Sequence, residues 1–178
     1  DAEGYMATGW KLIGENWYYF SIDGAMATEW REIEGVWYYF EEYSGWMYSD
    51  GWCVIDDEMF IFEAGGAAVT QPGWYERYDS KYYIKANGAV TTGWAVIDGK
   101  DYYFDEYSGW MYSEGWHVID EENWLFDEDG VWKGAAGWNW ANDAWYYLLG
   151  WHTPATEWQL IDGRWYWFES NEEFYNYG

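Results

Sequence analysis

The sequence predicts an all-β chain: a β-solenoid of stacked β-hairpins, with about three hairpin repeats per superhelical turn. Three observations carry this. Aromatic residues are 26% of 178 residues, with 19 Trp, 20 Tyr and 8 Phe against 21 Ile, Leu and Val together. Rings of this kind favour strands, and no segment has a helical period of 3.6. A Trp then recurs at 10, 30, 52, 74, 94, 116, 138 and 158, so the chain repeats every 20 or 22 residues. Finally, two apolar runs in each repeat flank a turn signal.

Taking each repeat in order fixes its parts. The anchor Trp opens the first strand; six of the eight follow Gly, while Trp30 and Trp158 follow Glu. Asp98-Gly99 and Asp162-Gly163 sit between the two runs. Both residues of such a turn adopt positive φ, which makes Asp-Gly a strong hairpin signal. Glu34-Gly35 and Gly14-Glu15-Asn16 are weaker versions. In the second strand, eight positions past the anchor, stand Tyr18, Tyr38, Phe60, Tyr82, Tyr102, Trp124, Tyr146 and Tyr166. Ten positions past it stand Phe20, Phe40, Phe62, Ile84, Phe104, Phe126, Leu148 and Phe168. A Gly-containing loop such as 23–28 leads to the next anchor. An isolated hairpin is marginal in water, so stability is expected from stacking one on the next.

A longer period lies above the short one. Trp10, Trp74 and Trp138 are 64 residues apart, as are Trp30, Trp94 and Trp158, and the stretch 38–49 returns almost unchanged at 102–113. Three repeats per unit would place equivalents in one column if each turns about 120°. The expected organisation is one tandem-repeat domain, 1–178, of about eight repeats. Residues 1–9 read as the end of a preceding repeat and 169–178 as an acidic tail.

Charge narrows the function. The net charge is −25, with 8 basic and 33 acidic residues. Phosphate backbones need Lys and Arg, so nucleic acid is excluded as a partner, and an anionic membrane surface equally. No apolar run is long enough to span a bilayer, and no signal peptide is visible. Cys53 is the single cysteine, so no intrachain disulfide forms. His117 and His152 lack Ser or Cys partners at a catalytic spacing. There is no phosphate loop, and short hairpins make no deep cleft for a carboxylate pair, so no enzyme is expected. Acidic turns such as Asp56-Asp57-Glu58, Asp120-Glu121-Glu122 and Asp127-Glu128-Asp129 are oxygen-rich, and Ca²⁺ is a conceivable ligand there. Solvated turns are the simpler reading.

The stretch Gly9-Trp10-Lys11-Leu12-Ile13-Gly14-Glu15-Asn16-Trp17-Tyr18-Tyr19-Phe20, followed by Asp23-Gly24-Ala25-Met26-Ala27-Thr28, resembles the choline-binding, or cell-wall-binding, repeat. The resemblance spans the chain. It is specific in repeats 1, 2 and 8 and looser in repeats 3 to 6. Glucan-binding repeats and the C-terminal repeats of clostridial toxins share the hairpin and its Tyr-Tyr-Phe core. The resemblance implies a left-handed β-solenoid, a secreted or bacterial cell-surface location, and choline on cell-wall polymers as partner. It also implies a cage made by the anchor Trp, the Trp seven residues later and an aromatic of the next repeat. A quaternary ammonium cannot hydrogen-bond but is drawn to ring faces by roughly 0.5–2 kcal/mol each.

Carried over position by position, the cages are Trp10, Trp17, Tyr38; Trp30, Trp37, Phe60; and Trp138, Trp145, Tyr166, with Met26 and Met47 as further lining. Repeat 8 keeps Trp158 and Trp165 but has no following hairpin. Repeats 3 to 6 have Met59, Lys81, Asp101 and Asn123 in the second position, and Lys81 would repel a cation. Two other expectations stand beside the choline module: a neutral α-glucan-binding module, and a structural solenoid that self-associates end to end in a filament or stalk.

Overall fold

The computed structural model describes residues 5–150 and 153–169. These residues contain strands and turns and no helix. The N-terminal Asp1–Gly4 of the expected preceding repeat, His152, and residues 170–178 of the expected tail lie outside the described residues.

Eight antiparallel hairpins follow one another, each opened by its anchor Trp. They are Gly9–Ile13 with Asn16–Phe20, Glu29–Ile33 with Val36–Phe40, Gly51–Ile55 with Glu58–Phe62, and Gly73–Arg77 with Ser80–Ile84. The remaining four are Gly93–Ile97 with Lys100–Phe104, Gly115–Ile119 with Glu122–Phe126, Gly137–Ala141 with Ala144–Gly150, and Glu157–Ile161 with Arg164–Phe168. A short strand, Thr153–Pro154, adds to the seventh hairpin. By contacts the chain divides into two compact units. One gathers the residues up to Arg77 together with Tyr82–Thr91; the other gathers Tyr78–Lys81 and the residues from Thr92 on.

The turns form for the reason the sequence states. Asp98 and Gly99 have φ of 51° and 76°, and Asp162 and Gly163 have 49° and 75°. Asn142-Asp143 and Asp56-Asp57 reach the same region without Gly, which small polar side chains tolerate best. A second left-handed residue precedes the anchor. Gly9, Gly93 and Gly137 take positive φ there, and so do Glu29 (58°) and Glu157 (59°). That is why Gly dominates this place. A Glu pays a conformational penalty in this region that Gly does not. Glu29→Gly and Glu157→Gly are therefore expected to stabilise the chain by about 1 kcal/mol each, seen as a higher urea midpoint with an unchanged slope.

The core is built from the position ten past the anchor. Phe40, Phe104, Phe126 and Ile84 are 0% exposed, and Phe62 and Leu148 are 1% exposed. Each Phe and Leu pairs with the residue before its anchor, as in Glu29↔Phe40 and Gly51↔Phe62. A bridge from the loop covers it: Phe40↔Met47, Phe62↔Ala68, Ile84↔Val90, Phe104↔Met111 and Phe126↔Trp132.

The same loop residue ties its hairpin to the one before. Met47 N–H donates to the Trp17 carbonyl (2.8 Å), Ala68 to Trp37 (2.8 Å), Val90 to Met59 (2.7 Å), Met111 to Lys81 (2.8 Å) and Trp132 to Asp101 (2.9 Å). The accepting carbonyl always belongs to the residue seven past the anchor. In the seventh hairpin this register holds Pro154, paired with Leu148. Proline has no N–H, so that tie cannot form there. Gly66, in the loop after the third hairpin, has φ of 82°, and a Cβ on it would lie 2.3 Å from the Met47 methyl. Backbone conformation and the Met side chain both demand Gly.

The first carboxylate of several loops is engaged locally. Glu41 accepts from Tyr43 N–H and from Ser44 N–H and Oγ; Asp105 accepts from Tyr107 N–H and from Ser108 N–H and Oγ. Tyr112 donates its hydroxyl to Asp105 at 3.2 Å, and Tyr75 donates to Glu63 at 2.7 Å. Burial, followed by these carboxylates, pushes both phenols up to about 12. Burial raises Tyr39, Tyr48, Tyr102, Tyr103 and Tyr146 as well. A phenol raised in the fold contributes stability that is complete below its unfolded value near 10 and is lost as pH rises toward about 12. Alkaline unfolding is therefore expected in that window, with tyrosinate absorbance and strand circular dichroism changing together. Tyrosines that all titrate near pH 10 in an intact fold would contradict it.

Candidate functional site

The strand period puts the anchor Trp and the Trp seven residues later on one hairpin face. Trp10 pairs with Tyr19 and Trp17 with Leu12, so the two indoles are diagonal neighbours. Their centroids are 6.4 Å apart and nearly perpendicular at 84°. The next hairpin supplies Tyr38, 4.9 Å from Trp10, with Phe40 behind it at 5.8 Å. Trp10, Trp17, Tyr38 and Met47 line a cavity of about 400 Å³, closed by Ala64 and Gly65.

The second notch repeats this geometry. Trp30 and Trp37 are 6.5 Å apart at 75°, Trp30 and Phe60 are 4.9 Å apart, and Trp30 and Phe62 are 5.8 Å apart. Trp30, Trp37 and Phe60 line a cavity of about 620 Å³ with Thr70, Ala86 and Asn87. In the other unit, Trp138 and Trp145 are 6.2 Å apart at 90°, Trp138 and Tyr166 are 4.9 Å apart, and Trp138 and Phe168 are 5.8 Å apart. The structure thus brings together all three ring sets named from the sequence. Trp17, Trp37 and Trp145 are 41 to 58% exposed, so each keeps a face toward solvent.

No charged side chain lines either cavity. The walls are mostly ring faces, methyl groups and a thioether, with the Thr70 hydroxyl and the Asn87 amide at the second cavity. Such a lining offers little to an anion or a metal ion. It suits an apolar cation, which the chain's net charge of −25 also attracts.

Met26, named as lining from the sequence, is not among the residues lining these two cavities. It abuts Gly45, as Met47 abuts Gly66; a Cβ on Gly45 would lie 2.6 Å from its sulfur and methyl. Met47 lines the first cavity. The reading from sequence missed the closing walls. Ala64-Gly65 and Ala86-Asn87 belong to the loop two hairpins beyond the anchor, and a search confined to adjacent hairpins does not reach them.

The other hairpins depart from this arrangement. Met59 is buried with Ile61, Ile84 and Val90 as core. In the fifth hairpin, where Asp101 replaces the second Trp, Trp132 reaches in from the loop. It stands 5.8 Å from Trp94 and 5.4 Å from Trp124. Trp132 occupies the loop register that Met47 holds in the first cavity, so the protein's own indole takes up the space. His117 stacks on Tyr112 at 4.3 Å and its Nε2 lies 2.8 Å from the Ser113 carbonyl. Burial lowers its pKa, and burial pushes the Cys53 thiol at the equivalent register up to about 11. Both are half-buried packing residues. Among the described residues, no cluster of three His, Cys, Asp or Glu is arranged to hold a metal ion.

A choline-binding repeat model matches residues 7–52, and a cell wall binding repeat model matches 92–106 and 156–174. None of the curated proteins matches the chain. Among solved structures, CbpF in complex with ipratropium is 34% identical, with a TM-score of 0.60, over 75% of this chain and 40% of that one. CbpJ from Streptococcus pneumoniae is 27% identical, with a TM-score of 0.62, over 91% of this chain and 56% of that one. The modular autolysin LytC from Streptococcus pneumoniae is 27% identical, with a TM-score of 0.51, over 93% of this chain and 38% of that one. The chain therefore spans between about two fifths and somewhat over half the length of these relatives. With its repeats, ring sets and relatives in agreement, the chain belongs to the choline-binding, or cell-wall-binding, repeat family.

Proposed function

We propose that the chain is a non-catalytic module that holds a cell-wall polymer by its choline groups, on a secreted or cell-surface protein. The observation that carries this reading is the threefold recurrence of one ring arrangement: perpendicular indoles 6.2 to 6.5 Å apart with a third ring 4.9 Å from the anchor. Each notch takes one trimethylammonium group. Trp10, Trp17 and Tyr38 form one cage; Trp30, Trp37 and Phe60 form a second; Trp138, Trp145 and Tyr166 form a third. Each well-placed ring supplies about 0.5–2 kcal/mol, and several cages on one polymer multiply the effect through effective concentration. The hairpins form one tandem array with a solenoid winding of about three per turn. That winding is supported by the ties between consecutive hairpins and by the 64-residue sequence period.

The test must separate caging from bulk charge, because a chain of net −25 adheres to any cationic matrix. At about 1 M salt the screening length falls to ~3 Å, which removes that adhesion. The module is expected to stay on a quaternary-ammonium resin in high salt and to leave when free choline is added. Release by sodium chloride alone overturns the reading.

A further inference from the structure

The seventh hairpin carries an indole that the cages do not use. Trp140 lies two residues past the anchor Trp138, on the same strand face, and pairs directly with Trp145 across the hairpin. Its ring centroid is 5.3 Å from that of Trp145 at 61°. Trp145 stands between two partners: Trp138 at 6.2 Å on the cage side and Trp140 at 5.3 Å on the turn side. Trp140 is 49% exposed. At the same register the other hairpins carry Leu12, Glu32, Val54, Glu76, Val96, Val118 and Leu160, so the fold does not call for a ring there.

The surroundings are unlike the rest of the chain. Its net charge is −25, yet the strands Gly137–Ala141 and Ala144–Gly150 contain no charged residue. The next pair toward the turn, Ala141 opposite Ala144, is small and faces the other side of the hairpin. The exposed carboxylate of Asp143 sits at the adjoining turn tip. An uncharged, half-exposed indole wall with one carboxylate on the adjoining turn matches neither an anion nor a metal ion. It matches a pyranose ring, whose apolar C–H face lies on an indole while its hydroxyls reach a carboxylate.

We propose that Trp140, with Trp145 and Asp143, is a platform for a neutral sugar ring, next to the Trp138–Trp145–Tyr166 cage. It rests on the reading of that cage as a choline site, and it extends the site from the cation to the glycan that carries it. The shared wall, Trp145, lets one polymer segment occupy both.

The test is calorimetric titration of the intact chain with two neutral probes, chitotetraose and maltotetraose, and separately with choline. Trp140→Val places at this register the residue that three other hairpins already carry, so the hairpin is retained; circular dichroism checks that. The wild type is expected to bind at least one oligosaccharide at millimolar levels. Trp140→Val should weaken it roughly tenfold and leave choline affinity within about twofold. Asp143→Asn should weaken the sugar alone. No heat from either oligosaccharide, or equal affinity in Trp140→Val, overturns the platform. Loss of choline binding in Trp140→Val also overturns it, by making Trp140 part of the cage. A wild type that binds sugar but ignores choline refutes the cage reading and leaves the platform standing.

Discussion

Phe62→Ala is expected to destabilise the chain by about 3–5 kcal/mol, the range for truncating a buried aromatic without refilling its space. Phe62 is 1% exposed and packs with Ile55, Phe60 and Ala89, stacked 5.8 Å from Trp30. Phe62→Leu is expected to be milder, at about 1 kcal/mol, because Ile84 and Leu148 already serve at this register. Urea unfolding followed by near-ultraviolet circular dichroism measures both. The damage should also reach the second cage. Trp30 rests on both Phe60 and Phe62, so Phe62→Ala lowers choline affinity there before the chain unfolds. A core variant no less stable than wild type would mean that the ten-past-anchor position is not the structural spine.

Trp37→Lys is expected to have the largest effect on binding. It removes one wall of the second proposed cage and puts a positive charge where that cage would hold its cation. The loss should be tenfold or more at that cage, from one lost ring plus like-charge repulsion. Trp17→Lys should do the same at the first. Stability should hardly change, for a reason internal to the chain: Lys81 occupies the same register in the fourth hairpin. Its carbonyl accepts the tie from Met111 as the Trp17 carbonyl accepts the tie from Met47. The tie at this position uses backbone and accommodates a Lys side chain in the fourth hairpin, although Met59 at the same register of the third packs into the core. The pair of measurements, affinity lost and melting temperature kept, separates a binding residue from a core residue.

Much of this was legible in the residue order. Anchor spacing and the Asp-Gly turns located the hairpins, because turn chemistry and the strand period are local properties. The three ring sets were legible too, since alternation along a strand decides which side chains share a face. The unread parts depend on distance in space. Ala64-Gly65 and Ala86-Asn87 close cavities anchored more than 50 residues earlier, and no local rule connects a bland loop to a notch. Met26 and Met47 occupy equivalent loop positions, each against the loop glycine of the next hairpin, and only Met47 also lines one of the two cavities. Trp132 reads in sequence as one more aromatic, although it packs against Trp94 and Trp124 at the fifth hairpin. Pro154 is plain in the sequence, but its meaning, a lost tie, appears only beside the five hairpins that keep theirs.

The central claim is that ring faces recognise charge and not merely bulk. Calorimetry with choline and with its uncharged carbon isostere, in which a tert-butyl group replaces the trimethylammonium, tests it most directly. Shape and apolar area are then held constant while the charge is removed. The account predicts that choline binds the intact chain at up to three cages and that the isostere binds at least about tenfold more weakly. Equal affinity for the two, or no binding of choline at all, would contradict it.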